Sequence, residues 1–200
     1  MTTTWNPADV STRVSLSDTN HIATTIAGSG NEGGRATTSK SSGKWYLEYS
    51  AITSTGNERC GFGPASESIT SNSVPQHGID LGGTVNVPGS GTWSPFGGGV
   101  AGHVVGFAID IGALRSYIRY DNGAWGGTGG LTADPVAGTG GFDLTGLTLP
   151  TFPKFFLQFN PGTITINCGD RAFAHAPPTG FTAWDNIPPL PPRVSVLLIG

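Results

Sequence analysis

Three stretches of this chain place large apolar side chains at every second residue, with glycine-rich turns between them. Trp45, Leu47 and Tyr49 alternate with Lys44, Tyr46 and Glu48; Val105, Phe107, Ile109 and Ile111 form a second stripe, and Phe155, Leu157 and Phe159 a third. An extended strand sends successive side chains to opposite faces, so each stripe predicts a strand with one buried face. With 32 glycines and 15 prolines in 200 residues and 12% charged residues, the composition alone would also fit a low-complexity chain. The 36% apolar content, grouped into strand-like runs between the glycines, excludes that. Many short strands joined by glycine-rich turns predict an all-β chain, a two-sheet antiparallel β-sandwich. Two hundred residues suit one such domain with a sizeable core.

The same strand grammar carries a resemblance. Ile164, Ile166 and Cys168 lie on one face of a strand that runs into Asn167-Cys168-Gly169 and then Phe173-Ala174-His175-Ala176-Pro177-Pro178-Thr179-Gly180-Phe181. This order resembles the closing signature of SPRY domains, Asn-Phe-Gly followed by Phe-x-Tyr-x-Pro-Pro-x-Gly-Phe, with Cys168 in place of the Phe and His175 in place of the Tyr. Ser41-Ser42-Gly43-Lys44-Trp45-Tyr46-Leu47-Glu48-Tyr49 looks like the family's early strand. Gly102 to Asp110, followed by Tyr117 and Asp121-Asn122-Gly123, resembles its central hairpin, with His103 where the family usually has Asp. The opening, Trp5-Asn6-Pro7-Ala8-Asp9, Val14 to Ser17 and Arg35-Ala36-Thr37, is similar to short SPRY proteins of bacteriophages and bacteria.

The resemblance implies a concanavalin-like sandwich over residues 1–186 that binds rather than catalyses. It implies a place on a phage virion, as a tail-fibre tip, tail accessory protein or head decoration. The expected partners are other virion proteins, further copies of the chain in a homo-oligomer, and a host-surface glycan or protein. Two alternatives stay open: a stand-alone intracellular SPRY adaptor that binds a short peptide, and a carbohydrate-active enzyme on the related lectin-like fold.

The net charge of −3 is small and the ten Lys and Arg residues are scattered, which argues against nucleic-acid binding. The N-terminus lacks the apolar region of a signal peptide, and the longest apolar run, near Val196–Ile199, is too short to span a bilayer. The expectation is a soluble protein made in a cytoplasm, without a membrane partner. Two polar segments, about 64–103 and 123–148, read as loops without a helix. Residues 187–200 differ from the rest. Pro188, Pro189, Pro191 and Pro192 predict an extended exit, and Val194, Val196, Leu197, Leu198 and Ile199 predict an apolar β segment. That segment is an assembly arm that pairs with another subunit's sheet edge, or else a strand that closes its own sheet.

The acidic residues lack the paired spacing of a glycosidase, whose retaining forms need two carboxylates about 5 Å apart. Glu48 and Glu58 are the nearest approach to a pair, and both are expected at the surface. No enzyme activity is predicted. His21, His77, His103 and His175 lack metal-ligand spacing, and Asp80, Asp110 and Asp121 lie in no dense calcium loop, so neither metal nor cofactor is expected. Asp110 and Asn122 are expected to fix hairpin geometry, and His175 to pack at the Pro-Pro turn. Cys60 and Cys168 read as buried free thiols, because without a secretion signal a disulfide is disfavoured. Trp5, Trp45 and Trp184 sit in framework blocks and should pack in the core. Trp93, Phe96 and Trp125 lie in or beside glycine-rich loops. They are the candidate ligand-binding residues, for a sugar or a protein, unless they simply cap the ends of the sandwich.

Overall fold

The structure, a computed structural model, describes residues 2–26, 30–53, 58–70, 75–80, 82–88, 91–97, 100–158 and 162–186. The predicted arm at 187–200, with Val194, Val196, Leu197, Leu198 and Ile199, lies outside the described residues, as does Phe159. The described residues contain strands and turns and no helix.

Two sheets face each other. The first runs β1 (Trp5–Val10), β4 (Asn31–Ala36), β15 (Thr151–Gln158), β6 (Arg59–Pro64), β7 (His77–Asp80), β8 (Val85–Val87) and β9 (Gly91–Trp93). The second runs β13 (Gly130–Ala133), β12 (Trp125–Gly127), β11 (Arg115–Tyr120), β10 (Val105–Asp110), β5 (Lys44–Thr53), β16 (Thr163–Asn167), β3 (Ile22–Thr25) and β2 (Val14–Ser17). Two short strands join it from outside that path: β14 (Phe142–Asp143) against β11, and β17 (Thr182–Ala183) alongside β5. The β17–β5 pair is parallel; the other ladders are antiparallel.

Register explains the core. Leu47 lies opposite Phe107, and Phe107 opposite Ile118, so three strands contribute one inward row. Cys60, Phe62, Phe155 and Leu157 of the first sheet meet Tyr49, Ile109, Ile164 and Ile166 of the second, all fully buried. Trp5 packs its ring edgewise on Phe155 at 4.6 Å, and the Tyr49 hydroxyl crosses between the sheets to donate to the Gly61 carbonyl at 2.7 Å. Trp5 and Trp184 are buried as expected. Trp45 is only half-buried, because it sits at the start of β5 with the Lys40 ammonium 3.8 Å over its ring. Cys60 and Cys168 are free thiols in the core, and burial pushes both thiols well up from their usual range.

Four expectations need correction. First, β5 and β10 are buried on both faces, not one: Tyr46 and Glu48 are 0% and 3% exposed. The chain from Cys168 to Ala183 crosses their outer face, as set out below. Second, Glu48 and Glu58 are both buried, and neither is a surface carboxylate. Third, the supposed loops contain β7, β8, β9, β12, β13 and β14. Fourth, Asp110 does fix the β10–β11 turn, accepting the Ala113 N–H (2.9 Å), but at the open end of the hairpin the backbone is held by Asp121 and not by Asn122. Asp121 adopts φ 51° and accepts the Val104 N–H at 3.0 Å, while its other oxygen meets His103 Nδ1 at 2.8 Å. A carboxylate two atoms from the backbone suits that turn, and Asn122 instead meets Arg119.

Candidate binding site

Strand β9 forms one margin of the sandwich. Gly91, at φ 90°, closes the turn from β8, and all three β9 residues are exposed. Trp93 lies opposite Val85, so it shares the core-facing side of the sheet with a fully buried residue. Trp93 is nonetheless 38% exposed, the one exposed aromatic among the described residues. At this margin the other sheet presents the β12–β13 hairpin, with Gly126, Gly127, Gly129 and Gly130. Gly127 has no room for a side chain, since a Cβ there would stand 1.7 Å from the Gly140 carbonyl oxygen. The result is an open cleft of about 180 Å³ lined by Trp93, Ser94, Pro95, Gly127, Thr128 and Gly130.

A second, larger cleft of about 370 Å³ lies at the same strand, with Gly91 and Thr92 on one side and Gln76, Asn86, Pro88 and Gly146 among the other lining residues. Its wall is fixed by Gln76. The amide donates to the Gly146 carbonyl and the Thr148 hydroxyl, both at 3.1 Å, and accepts the Thr148 N–H at 2.7 Å. Neither cleft has a charged residue in its lining.

The three predicted contact residues take different places. Trp93 lines the first cleft. Phe96 is 6% exposed and stacks on Tyr120 at 4.4 Å, with its ring edge over Gly126, so it plugs the core margin and offers no face to a ligand. Trp125 is half-buried on the outer face of the second sheet, where the Arg119 guanidinium lies 4.5 Å from its ring. Trp125 is not part of the Trp93 cleft.

A polar cluster on that outer face has no counterpart in the sequence reading. Glu48, Gly106 and Arg119 stand in one row across β5, β10 and β11. Gly106 leaves room between them for the Tyr46 hydroxyl, which a Cβ at Gly106 would approach to 2.7 Å. Tyr46 donates to Glu48 Oε1 at 2.9 Å and accepts from Arg119 Nη2 at 3.4 Å. Burial, the largest influence, pushes the Tyr46 phenol well up. The Glu48 carboxylate also accepts the backbone N–H groups of Ala174 (2.8 Å) and His175 (2.9 Å), and Arg119 Nη2 donates to the Ala176 carbonyl at 2.7 Å. Glu48 and Arg119 thus clasp the strap from Phe173 to Phe181 onto the sheet. The Glu48 carboxylate, the Tyr46 hydroxyl and Arg119 Nη2 are thus engaged within the chain, while Arg119 Nε is buried without a hydrogen-bond partner among the described residues; the bonds that form hold structure.

Two further polar groups are equally internal. His77 Nδ1 must donate to the Asn86 carbonyl (2.9 Å), which leaves Nε2 to accept the Ser116 hydroxyl at 2.5 Å. The pair joins β7 to β11 through the core, out of reach of any substrate, and burial lowers the His77 pKa to about 4. On the outer face of the first sheet, Arg35 grips Asp9 through two bonds of 2.7 and 2.8 Å, and Lys154 reaches Glu67 at 2.8 Å. Among the described residues no group of three or more His, Cys, Asp or Glu is placed to hold a metal ion.

With this geometry in hand, solved structures provide the comparison. The chain is similar to the SPRY domain of human HERC1, with a TM-score of 0.58 and 14% identity over 84% of this chain and 99% of that one. It is similar also to the TRIM65 PSpry domain, with a TM-score of 0.55 and 14% identity over 84% of this chain and 92% of that one. The fold is therefore that of SPRY domains, an all-β antiparallel sandwich. No protein-family model matches the sequence, and no curated protein matches it.

Proposed function

We propose that this chain is a non-catalytic binding module carried on a phage virion, where it meets other virion proteins and further copies of itself and recognises a host-surface glycan or protein. The observation that carries the binding reading is the open cleft at the β9 margin, where Trp93 is exposed beside Gly127, Thr128 and Gly130 although it lies opposite the buried Val85. An exposed aromatic offers large contact area at little entropic cost. The non-catalytic part is supported by where the carboxylates went. Glu48 is committed to the strap, and Asp9 and Glu67 to buried cations, while the clefts contain no acid or base. The virion setting is supported by the resemblance of the Trp5–Asp9 block to short phage SPRY proteins. The apolar sequence of 194–199 suits an assembly arm.

The test compares the protein and its Trp93→Ala variant for binding to intact host cells and to a displayed library of short peptides, alongside antibody labelling of purified particles. Labelled particles and Trp93-dependent cell binding support the proposal. Unlabelled particles with Trp93-dependent peptide capture would instead make it an adaptor, and release of reducing ends from a polysaccharide would make it an enzyme.

A further inference from the structure

The two clefts beside β9 share a chemistry that narrows the ligand. From Leu81 to Ile109 the sequence contains no Asp, Glu, Lys or Arg, and from Asn122 to Pro153 only Asp134 and Asp143. Those two carboxylates are already engaged: Asp134 accepts the Val136 and Ala137 N–H groups in its own turn, and Asp143 pairs with Arg115. The linings of the two clefts, among the described residues, therefore offer a ligand no cation and no anion. A polyanion such as nucleic acid, a uronic-acid polymer or a sialylated glycan would lose its hydration here and find no charge to replace it.

What the margin offers is an aromatic plate and neutral hydrogen-bonding groups. Trp93 and Thr128 line one cleft, and Asn86 and Thr92 line the other. Asn86, Thr92 and Thr128 make no side-chain hydrogen bond among the described residues, in contrast to Gln76, whose amide is consumed by the loop it holds. A pyranose ring presents that same pair of chemistries, a face of C–H bonds and a rim of hydroxyls. A peptide anchor, by contrast, needs a closed apolar pocket, and both clefts are open. Asn86 and Thr92 pair with each other on the face of the sheet opposite to Trp93, so a ring stacked on Trp93 is served by the first cleft alone.

We infer that the Trp93 cleft at the β9 margin binds a neutral saccharide, with one ring stacked on Trp93 and its hydroxyl rim bonded by Thr128, which lines the same cleft. This rests on the binding-module reading and specifies its ligand class. The experiment is titration calorimetry of the full chain against neutral hexasaccharides (maltohexaose, cellohexaose, chitohexaose) and purified neutral bacterial envelope polysaccharides, with polysialic acid and polygalacturonate as anionic counterparts. The inference expects binding to at least one neutral chain and to neither polyanion. It expects weakening of about tenfold or more in Trp93→Ala, with most affinity kept in Trp93→Phe because the stacking face survives. A Thr128→Val variant, which keeps shape and loses the hydroxyl, should weaken it several-fold. Binding to no neutral saccharide, preference for the polyanions, or neutral binding indifferent to Trp93 overturns the inference. The same variants screened against the peptide library separate the two readings. Trp93-dependent peptide capture without saccharide binding sinks the saccharide and leaves the binding module standing. Loss of both, in a folded protein, sinks both.

Discussion

Single residues in this chain do work that their type alone does not reveal. His77 is an example, because its position in the core between Asn86 and Ser116 keeps it neutral. With a pKa near 4 when folded and about 6.5 when unfolded, it adds stability that is fully present above pH 6.5. As the pH falls below that, the unfolded chain takes up a proton that the folded chain refuses, so the contribution declines until pH 4 and then levels. The size follows from the shift, up to about 3 kcal/mol. Urea unfolding between pH 4 and 7 should show this slope, and His77→Gln should flatten it relative to the parent at some loss of stability. A parent and variant with parallel pH profiles would show that His77 does not titrate as its burial requires. At the same scale Trp93 and Phe96, three residues apart, have opposite duties. Phe96→Ala empties a core site and should cost about 3–5 kcal/mol. Trp93→Ala should change stability by about 1 kcal/mol or less, since the side chain is already partly in solvent. Thermal melts of both variants check the contrast.

At the scale of elements, the long strands were legible and the short ones were not. β5, β10, β15 and β16 carry apolar residues at period two, and their core faces lie where that period places them. β8 (Val-Asn-Val), β9 (Gly-Thr-Trp) and β12 (Trp-Gly-Gly) have three residues each, too short for any period to emerge. Sequence also hid the second buried face of β5. Lys44, Tyr46 and Glu48 look like a solvent face, and their cover arrives from residues 126 positions away in the chain. The SPRY-like strap was visible as a motif, but its anchorage on Glu48 and Arg119 depends on a register that puts Gly106 between them. That anchorage is testable. Glu48→Ala leaves two strap N–H groups and the Tyr46 hydroxyl without their acceptor and should cost about 2–4 kcal/mol, with early proteolytic cutting between Ala172 and Phe181. Glu48→Gln keeps an acceptor and should lose less. Unchanged stability in Glu48→Ala would mean that the strap is held without Glu48, by the Arg119 bond to Ala176 and by its aromatic contacts, Phe173 on Tyr46 and Phe181 on Tyr117.

Over the whole molecule, charge is distributed unevenly, and this bears most on function. The outer faces of both sheets consume their charges in clasps, Glu48 and Arg119 on one and Asp9, Arg35, Lys154 and Glu67 on the other. The clefts beside β9 have no charged residue in their linings. Candidate residues chosen from sequence by aromatic type and loop context fell on three separate environments, because glycine-rich composition does not say which side of a sheet a residue will occupy. Of the three, Trp93 alone is exposed, although it lies opposite the buried Val85. The central claim, that this margin is where the module binds, is tested most directly by backbone-amide NMR of the full chain titrated with the neutral saccharide of highest affinity. The account predicts that shift changes concentrate at Gly91–Ser94 and Gly126–Gly130, while the strap residues Phe173–Phe181 stay unmoved. Shifts centred on the strap and Trp125, or an unchanged spectrum at β9 on saturation, would contradict it.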